Sequence, residues 1–240
     1  MKSTLISFDN ARILYDATAM AAPETIQFEP AFWENRDAVV HRPSGRGGAV
    51  VIRCPAGEAV LKRYYRGGMM AKVNRALYLF TGYENSRAFR EFRLLQTLHK
   101  KSLPVPEPLA VLCEKSGSVF ARMALMTRML PDTETLAEKE KLKSLSKESW
   151  QSIGKTLKKF HTRGVFHADL NANNILLNTA GRVFLIDFDK CHIKQPNTSW
   201  QNKNIQRLKR SLEKIFPGEL FPQKGWDILI KAYEKDFQGK

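Results

Sequence analysis

The strongest constraint on this chain lies between Val165 and Asp187. The segment runs Val165-Phe166-His167, a polar loop from Ala168 to Asn174, the apolar run Ile175-Leu176-Leu177, the turn Asn178-Thr179-Ala180-Gly181, and Val183-Phe184-Leu185-Ile186-Asp187. Apolar runs this short, separated by turn residues, read as short strands rather than helix. The loop and strand ends then carry Asp169, Asn171, Asn173, Asn174 and Asp187. Phosphoryl transfer needs such a set: one carboxylate to accept the proton of an acceptor hydroxyl, and an amide oxygen with a second carboxylate to hold a divalent ion against nucleotide phosphates. Hard oxygen donors suit magnesium, which takes few protein ligands. Asp169 is therefore the catalytic candidate, and Asn174 and Asp187 are the metal candidates. The competing reading is that Asp169 and the asparagines only cap a turn, as these residue types often do. The order of helix, loop, hairpin and second acid goes beyond what a turn cap requires.

The flanking sequence places this segment in a mixed chain. Residues 47–64 read as two β-prone runs joined by Cys54-Pro55-Ala56-Gly57, a hairpin pattern. From Ser86 to Lys101 the apolar residues Phe89, Phe92, Leu95 and Leu98 recur at helical spacing, and the Pro104, Pro106 and Pro108 run ends that helix. Two further strands are expected around Leu109–Leu112 and Val119–Met126, after which the chain leaves through Leu130-Pro131-Asp132. The polar stretch 132–147 shows no strand pattern. Trp150, Ile153, Leu157 and Phe160 mark a helix with Gly164 as its stop, and two more helices are expected around Leu208–Phe216 and Trp226–Tyr233.

Charge narrows the partners. Lys and Arg outnumber Asp and Glu by 39 to 24, a net +15, which points to an anionic partner: nucleic acid, acidic membrane or phosphorylated substrate. Residues 62–101 carry ten of the basic residues against two acids, Glu84 and Glu91. Within that stretch Met69, Leu77 and Phe80 interleave with Lys72 and Arg75, as in a helix lying on an anionic membrane or in one packed on a sheet with its charges solvated. Cys54, Cys113 and Cys191 lie far apart with no CxxC pair, which argues against a disulfide framework or zinc site and for a reducing compartment. Acids interrupt the N-terminal segment before a signal core develops, and no apolar run approaches the ~18 residues that span a bilayer.

His167-x-Asp169-x-x-x-x-Asn174 resembles the catalytic loop of the protein-kinase-like superfamily, and Ile186-Asp187-Phe188-Asp189 resembles its metal-binding element. Ala59-Val60-Leu61-Lys62 stands where that superfamily has the strand lysine gripping the α- and β-phosphates. Ala168, Asn171 and Asp189 depart from the protein-kinase pattern of arginine, lysine and glycine, and only 53 residues follow Asp187. These departures favour a small or lipid-linked acceptor over a peptide. With the Lys62-Arg63-Tyr64-Tyr65-Arg66-Gly67-Gly68 run, the chain is similar over nearly its whole length to the lipopolysaccharide kinase family of that superfamily.

The resemblance implies a bilobal α+β fold, with an antiparallel sheet and a helix in an N-terminal lobe (1–130) and a mostly helical catalytic lobe (131–240). It implies ATP as co-substrate with magnesium, and phosphorylation of the 4-hydroxyl of a 3-deoxy-D-manno-octulosonic acid (Kdo) residue on a lipid A precursor, with a lipopolysaccharide heptose kinase-like enzyme or an atypical protein kinase as the alternative. It also implies a cytoplasmic enzyme peripheral on the bacterial inner membrane, with its anionic surface as a partner and no nucleic acid bound. On the nucleotide side, Lys62 would pair with an acid of the following helix, Glu91 before Glu84. Gly45, Gly47 and Gly48 could fold over phosphates or form a plain turn, and the Met126–Met129 segment would pass the adenine.

Overall fold

The apolar runs of the two halves assemble separately. A computed structural model describes residues 2–43, 48–64, 78–117 and 119–235. The chain divides into one unit of Met1–Thr97 with Pro106–Met129 and a second of Leu98–Val105 with Leu130–Lys240. Both combine antiparallel strands with helices, an α+β organisation. Among the described residues, no helix is long and apolar enough to cross a membrane.

The first unit holds strands β1 (Ser3–Ser7), β2 (Ala11–Asp16), β3 (Val39–His41), β4 (Ala49–Cys54), β5 (Gly57–Arg63) and β6 (Tyr78–Leu79). It also holds β7 (Pro108–Ser116), β8 (Phe120–Arg128), the short helix α1 (Pro30–Glu34) and most of α2 (Arg87–Lys100). The main sheet has the order β1-β2-β7-β8-β5-β4-β3, with β6 also paired to β8. Side chains alternate across the pleat. Ala59 and Leu61 of β5 therefore join Ile13, Ile52, Leu112, Met126, Phe28 and Trp33 in one core, whereas Lys62 points to the opposite side. The helix α2 carries a buried apolar stripe, Phe89, Phe92, Leu95 and Leu98, at the spacing read from the sequence.

The second unit begins with β9 (Thr133–Thr135) and α3 (Leu136–Lys141), inside a stretch whose polarity suggested no strand. Three residues are too few to show alternation. The strand exists because Thr133–Thr135 pairs with β11 (Ile175–Asn178), and a reciprocal cap between Thr135 and Glu138 starts the helix. The helix α4 (Lys147–Thr162) buries Trp150, Ile153, Leu157 and Phe160 and ends where Gly164 takes φ +74°, its N–H donating to His161 O at 3.0 Å. Then follow β10 (Val165–Phe166), β11, β12 (Val183–Leu185), β13 (His192–Ile193), α5 (Thr198–Ile215) and α6 (Gln223–Glu234). Trp200, Asn204, Ile205, Leu208 and Leu212 form the buried face of α5.

Candidate active site

The β11/β12 hairpin brings the two metal candidates together. Its register pairs Ile175 with Leu185, and Ile186 N–H donates to Asn174 O at 3.1 Å. Asn174 and Asp187 therefore stand at the same end of the hairpin. Asp187 adopts φ +62°, a left-handed conformation uncommon for a side-chain-bearing residue and concentrated at functional sites. Asn174 Nδ2 donates to Asp169 O at 2.9 Å and approaches Asp169 Oδ2 at 3.5 Å. Both partners are acceptors, so the amide must face them with its nitrogen, which leaves Oδ1 for another ligand. An amide oxygen and an exposed carboxylate at one hairpin end are hard donors that fit magnesium completed by phosphate and water oxygens.

The loop between His167 and Asn174 is held from several sides. Asn171 does cap the turn: its Oδ1 accepts from Asn173 N and Asn174 N at 2.9 and 3.2 Å, and its Nδ2 donates to Asp169 Oδ2 at 3.0 Å. His167 is buried, its ring edge-on to Phe188. Its Nδ1 accepts from Asp169 N at 3.3 Å, so Nε2 carries the proton and donates to Ile186 O at 3.0 Å. One imidazole thus ties the residue before the metal acid to the catalytic candidate. Cys191 adds a second tie, its sulfur accepting from Ala168 N at 3.2 Å and lying 3.6 Å from Asp189 O.

Helix α5 is the platform beneath this loop. Asn204, Arg207 and Ser211 lie along one edge of it, spaced three and four residues apart as neighbours on a helix face. Asn204 Oδ1 accepts from His167 N at 3.2 Å and its Nδ2 donates to His167 O at 2.9 Å, so one side chain satisfies both backbone groups of that residue. Ser211 Oγ accepts from Ala172 N at 3.1 Å. Arg207 places Nη2 at 2.9 Å and Nε at 3.3 Å from Asp169 Oδ1. Behind Asn204, buried His161 reaches Asn204 Oδ1 with Nε2 at 3.4 Å and Tyr233 Oη with Nδ1 at 2.7 Å. Burial drives the His161 pKa down to about 4 and the Tyr233 pKa up to about 12, so both are neutral: the tyrosine hydroxyl donates and the imidazole accepts.

In the first unit Lys62 Nζ lies 3.2 and 3.1 Å from the two oxygens of Glu91, whose side chain is 2% exposed. Tyr64 Oη donates to the same carboxylate. A buried acid so bonded has its cation and hydroxyl as the compensation its burial demands. Glu84 instead pairs with Arg93 at 2.6 Å. Gly48 takes φ +88° at the start of β4; Gly45 and Gly47 lie outside the described residues. Met126 is interior to β8, buried and flanked by Leu61 and Ala110, so its peptide groups belong to the sheet. The strand continues to Arg128, and Met129 N–H is taken by Glu58 O at 2.9 Å. The transition from strand to loop therefore falls at Met129, three residues beyond the start of the Met126–Met129 segment.

Comparison with known proteins decides the family. The model of the lipopolysaccharide kinase (Kdo/WaaP) family matches residues 30–233. The chain belongs to the Kdo/WaaP family. Among its relatives, the 3-deoxy-D-manno-octulosonic acid kinase of Xanthomonas axonopodis pv. citri (strain 306) is 40% identical over 203 residues, 85% of this chain and 80% of that one. The protein of the same name from Xylella fastidiosa (strain M12) is 42% identical over 204 residues, with the same coverage. The Xanthomonas oryzae pv. oryzae (strain PXO99A) protein, also so named, is 39% identical over 92% of this chain and 89% of its own. A solved structure described as WaaP in complex with acyl carrier protein superposes with a TM-score of 0.52 at 16% identity, covering 85% of this chain and 86% of that one, a likeness of fold. As a Kdo/WaaP member the chain is an ATP-dependent phosphotransferase.

Several residues of this candidate site are invisible to motif reading. Asn204, Arg207, Ser211 and Cys191 come from elements whose approach to the loop depends on packing. One signal was present: Asn204 is a polar residue on the apolar face of an amphipathic helix, a position that demands a buried partner.

Proposed function

We propose that this chain is a bilobal, protein-kinase-like enzyme that transfers the γ-phosphoryl group of ATP to the 4-hydroxyl of a Kdo residue on a lipid A precursor. The observation carrying this reading is the hairpin end that sets Asn174 and Asp187 side by side with Asn174 hydrogen-bonded to Asp169. The acceptor is taken from relatives named Kdo kinases at 39 to 42% identity.

In this reading Asp169 orients the acceptor hydroxyl and takes its proton as the oxygen bonds to the γ-phosphorus and ADP departs. Asn171 and Asn174 fix the carboxylate rotamer through Oδ2. Lys62, held by Glu91, grips the α- and β-phosphates, and backbone groups from Met129 onward meet the adenine. Asn174 Oδ1 and the Asp187 carboxylate hold magnesium, which when bound neutralises phosphate charge. The acceptor is a membrane lipid, so the enzyme works as a peripheral protein on the cytoplasmic face of the inner membrane; its net charge of +15 suits that anionic surface.

The test is phosphate transfer from γ-labelled ATP to Kdo-bearing lipid A precursor, with a protein acceptor and no acceptor as controls. Wild type is expected to label the glycolipid in a magnesium-dependent manner. The Asp169→Asn variant should lose about 10²- to 10⁴-fold in turnover while still binding nucleotide. Label on protein but not glycolipid, or near-normal turnover by folded Asp169→Asn, would overturn the reading.

A further inference from the structure

An exposed acid of the catalytic loop, Asp169, faces a basic helix edge. Arg207 is 47% exposed and Asp169 is 51% exposed, yet the guanidinium reaches one carboxylate oxygen with two nitrogens. Lys203, Arg207, Arg210 and Lys214 are spaced four, three and four residues apart, so they share one stripe of α5, and all four are exposed. Among the described residues, Lys203, Arg210 and Lys214 have no carboxylate within ion-pairing distance; the other ion pair of this helix, Lys209 with Glu213, lies off the stripe. A row of like charges without acids repels itself and is stabilised when an anion covers it.

We propose that Arg207 is the residue that recognises the acid group of the acceptor, with Lys203 and Arg210 steering it in. This rests on the Kdo-kinase reading and adds to it the residue that reads the substrate. Three features carry the assignment. First, Arg207 touches the group that must receive the acceptor hydroxyl, so any acceptor placed on Asp169 lies against this guanidinium. Second, a Kdo glycoside linked through its ketone carbon keeps a free carboxylate a few bonds from the reacting hydroxyl. Arginine is the side chain whose planar fork matches a carboxylate. Third, the Arg207–Asp169 pair is solvent-exposed, and such pairs shift an equilibrium by at most about fivefold. An incoming carboxylate can therefore take over the guanidinium at little cost and release Asp169 Oδ1 to accept the hydroxyl proton. Oδ2 stays on Asn171 and Asn174, so the carboxylate keeps its orientation through the exchange. A neutral sugar would leave Arg207 on its own aspartate. The arginine accordingly both binds the correct acceptor and selects for an acidic one.

The experiment compares wild type, Arg207→Ala and Arg207→Lys on three acceptors: the Kdo-bearing lipid A precursor, the same molecule with its Kdo carboxylate converted to a primary amide, and the same molecule stripped of lipid A phosphates. Arg207→Ala should raise the KM for the intact acceptor about tenfold to hundredfold, the worth of a hydrogen bond to a charged group. The KM for ATP should stay within about twofold of wild type, and Arg207→Lys should recover part of the loss. On the amide acceptor Arg207→Ala should lose nothing relative to wild type and gain at most about fivefold from the freed Asp169, whereas removing the phosphates should leave the deficit of Arg207→Ala intact. An unchanged acceptor KM in Arg207→Ala, or a deficit that survives amidation and vanishes with the phosphates, would overturn the assignment. Failure of wild type itself to phosphorylate the intact acceptor would overturn the kinase reading instead, and no variant is needed to see it.

Discussion

His161 stands behind the candidate site, yet the loop that carries Asp169 depends on it. It lies between Tyr233 and Asn204, and Asn204 in turn holds both backbone groups of His167. Burial, with lesser contributions from the nearby His167 and Lys158 and against the opposing hydrogen bond to Asn204, depresses its pKa from 6.5 to about 4. The unfolded chain therefore binds this proton more readily than the folded one, and the stability it contributes is present above pH 6.5. That stability is lost as pH falls toward 4, where protonated Nδ1 can no longer accept the Tyr233 hydroxyl. The full loss across this window is about 3 kcal/mol. Urea unfolding at about pH 7.5, 6 and 5 should show the decline, and His161→Gln should flatten it. Equal pH slopes in the two proteins would show that the imidazole is not the group responsible.

At the scale of elements, α4 and α6 pack closely enough to forbid side chains. A Cβ on Gly154 of α4 would stand 2.3 Å from Leu229 O, and one on Gly225 of α6 would stand 2.2 Å from Trp150 Cε2. Both obstacles are backbone or a large buried ring, so neither can step aside cheaply. The same pair of helices carries His161 and Tyr233, which joins this crossing to the support of Asn204. Gly154→Ala should cost about 1–3 kcal/mol, read as a lower urea midpoint at unchanged slope. A midpoint equal to wild type would mean that the helices separate freely. Helix α5 works differently: its apolar face anchors it, one edge grips the loop that carries Asp169, and the adjoining stripe carries cations toward solvent.

For the whole molecule the deciding property is charge. A net +15 attracts the chain to anionic surfaces, each basic group near such a surface contributing about 1 kcal/mol and losing it as salt shortens the screening length from ~8 Å toward ~3 Å. Sedimentation with anionic vesicles should therefore show binding at low salt that largely disappears near ~1 M salt, with little binding to neutral vesicles. Equal binding to neutral vesicles would assign the association to apolar insertion instead. Of the interfacial-helix reading, Met69, Lys72, Arg75 and Leu77 lie outside the described residues, whereas its C-terminal end is not helix: Tyr78–Leu79 is the strand β6, paired with β8, and Phe80 N–H donates to Val119 O at 2.8 Å, because the edge of β8 offers the chain backbone partners there.

What could be read from the chain by itself was whatever local order determines. The helical spacing of Phe89 to Leu98 and of Trp150 to Phe160, the stop at Gly164, and the strand runs around Asp187 depend on period and turn chemistry within a few residues, and they became the elements expected. The placement of Asn174 and Asp187 at one hairpin end was legible because the hairpin joining them is itself local. Which side chains meet across distant elements was not legible. Lys62 faces Glu91 rather than Glu84 because β5 alternates and α2 presents one face to it. Thr133–Thr135 becomes a strand because β11 offers an edge. Arg207 reaches Asp169 across 38 residues because the apolar face of α5 turns that edge toward the loop. Periodicity specifies which face of an element is apolar, whereas packing against the other elements specifies what the remaining faces touch.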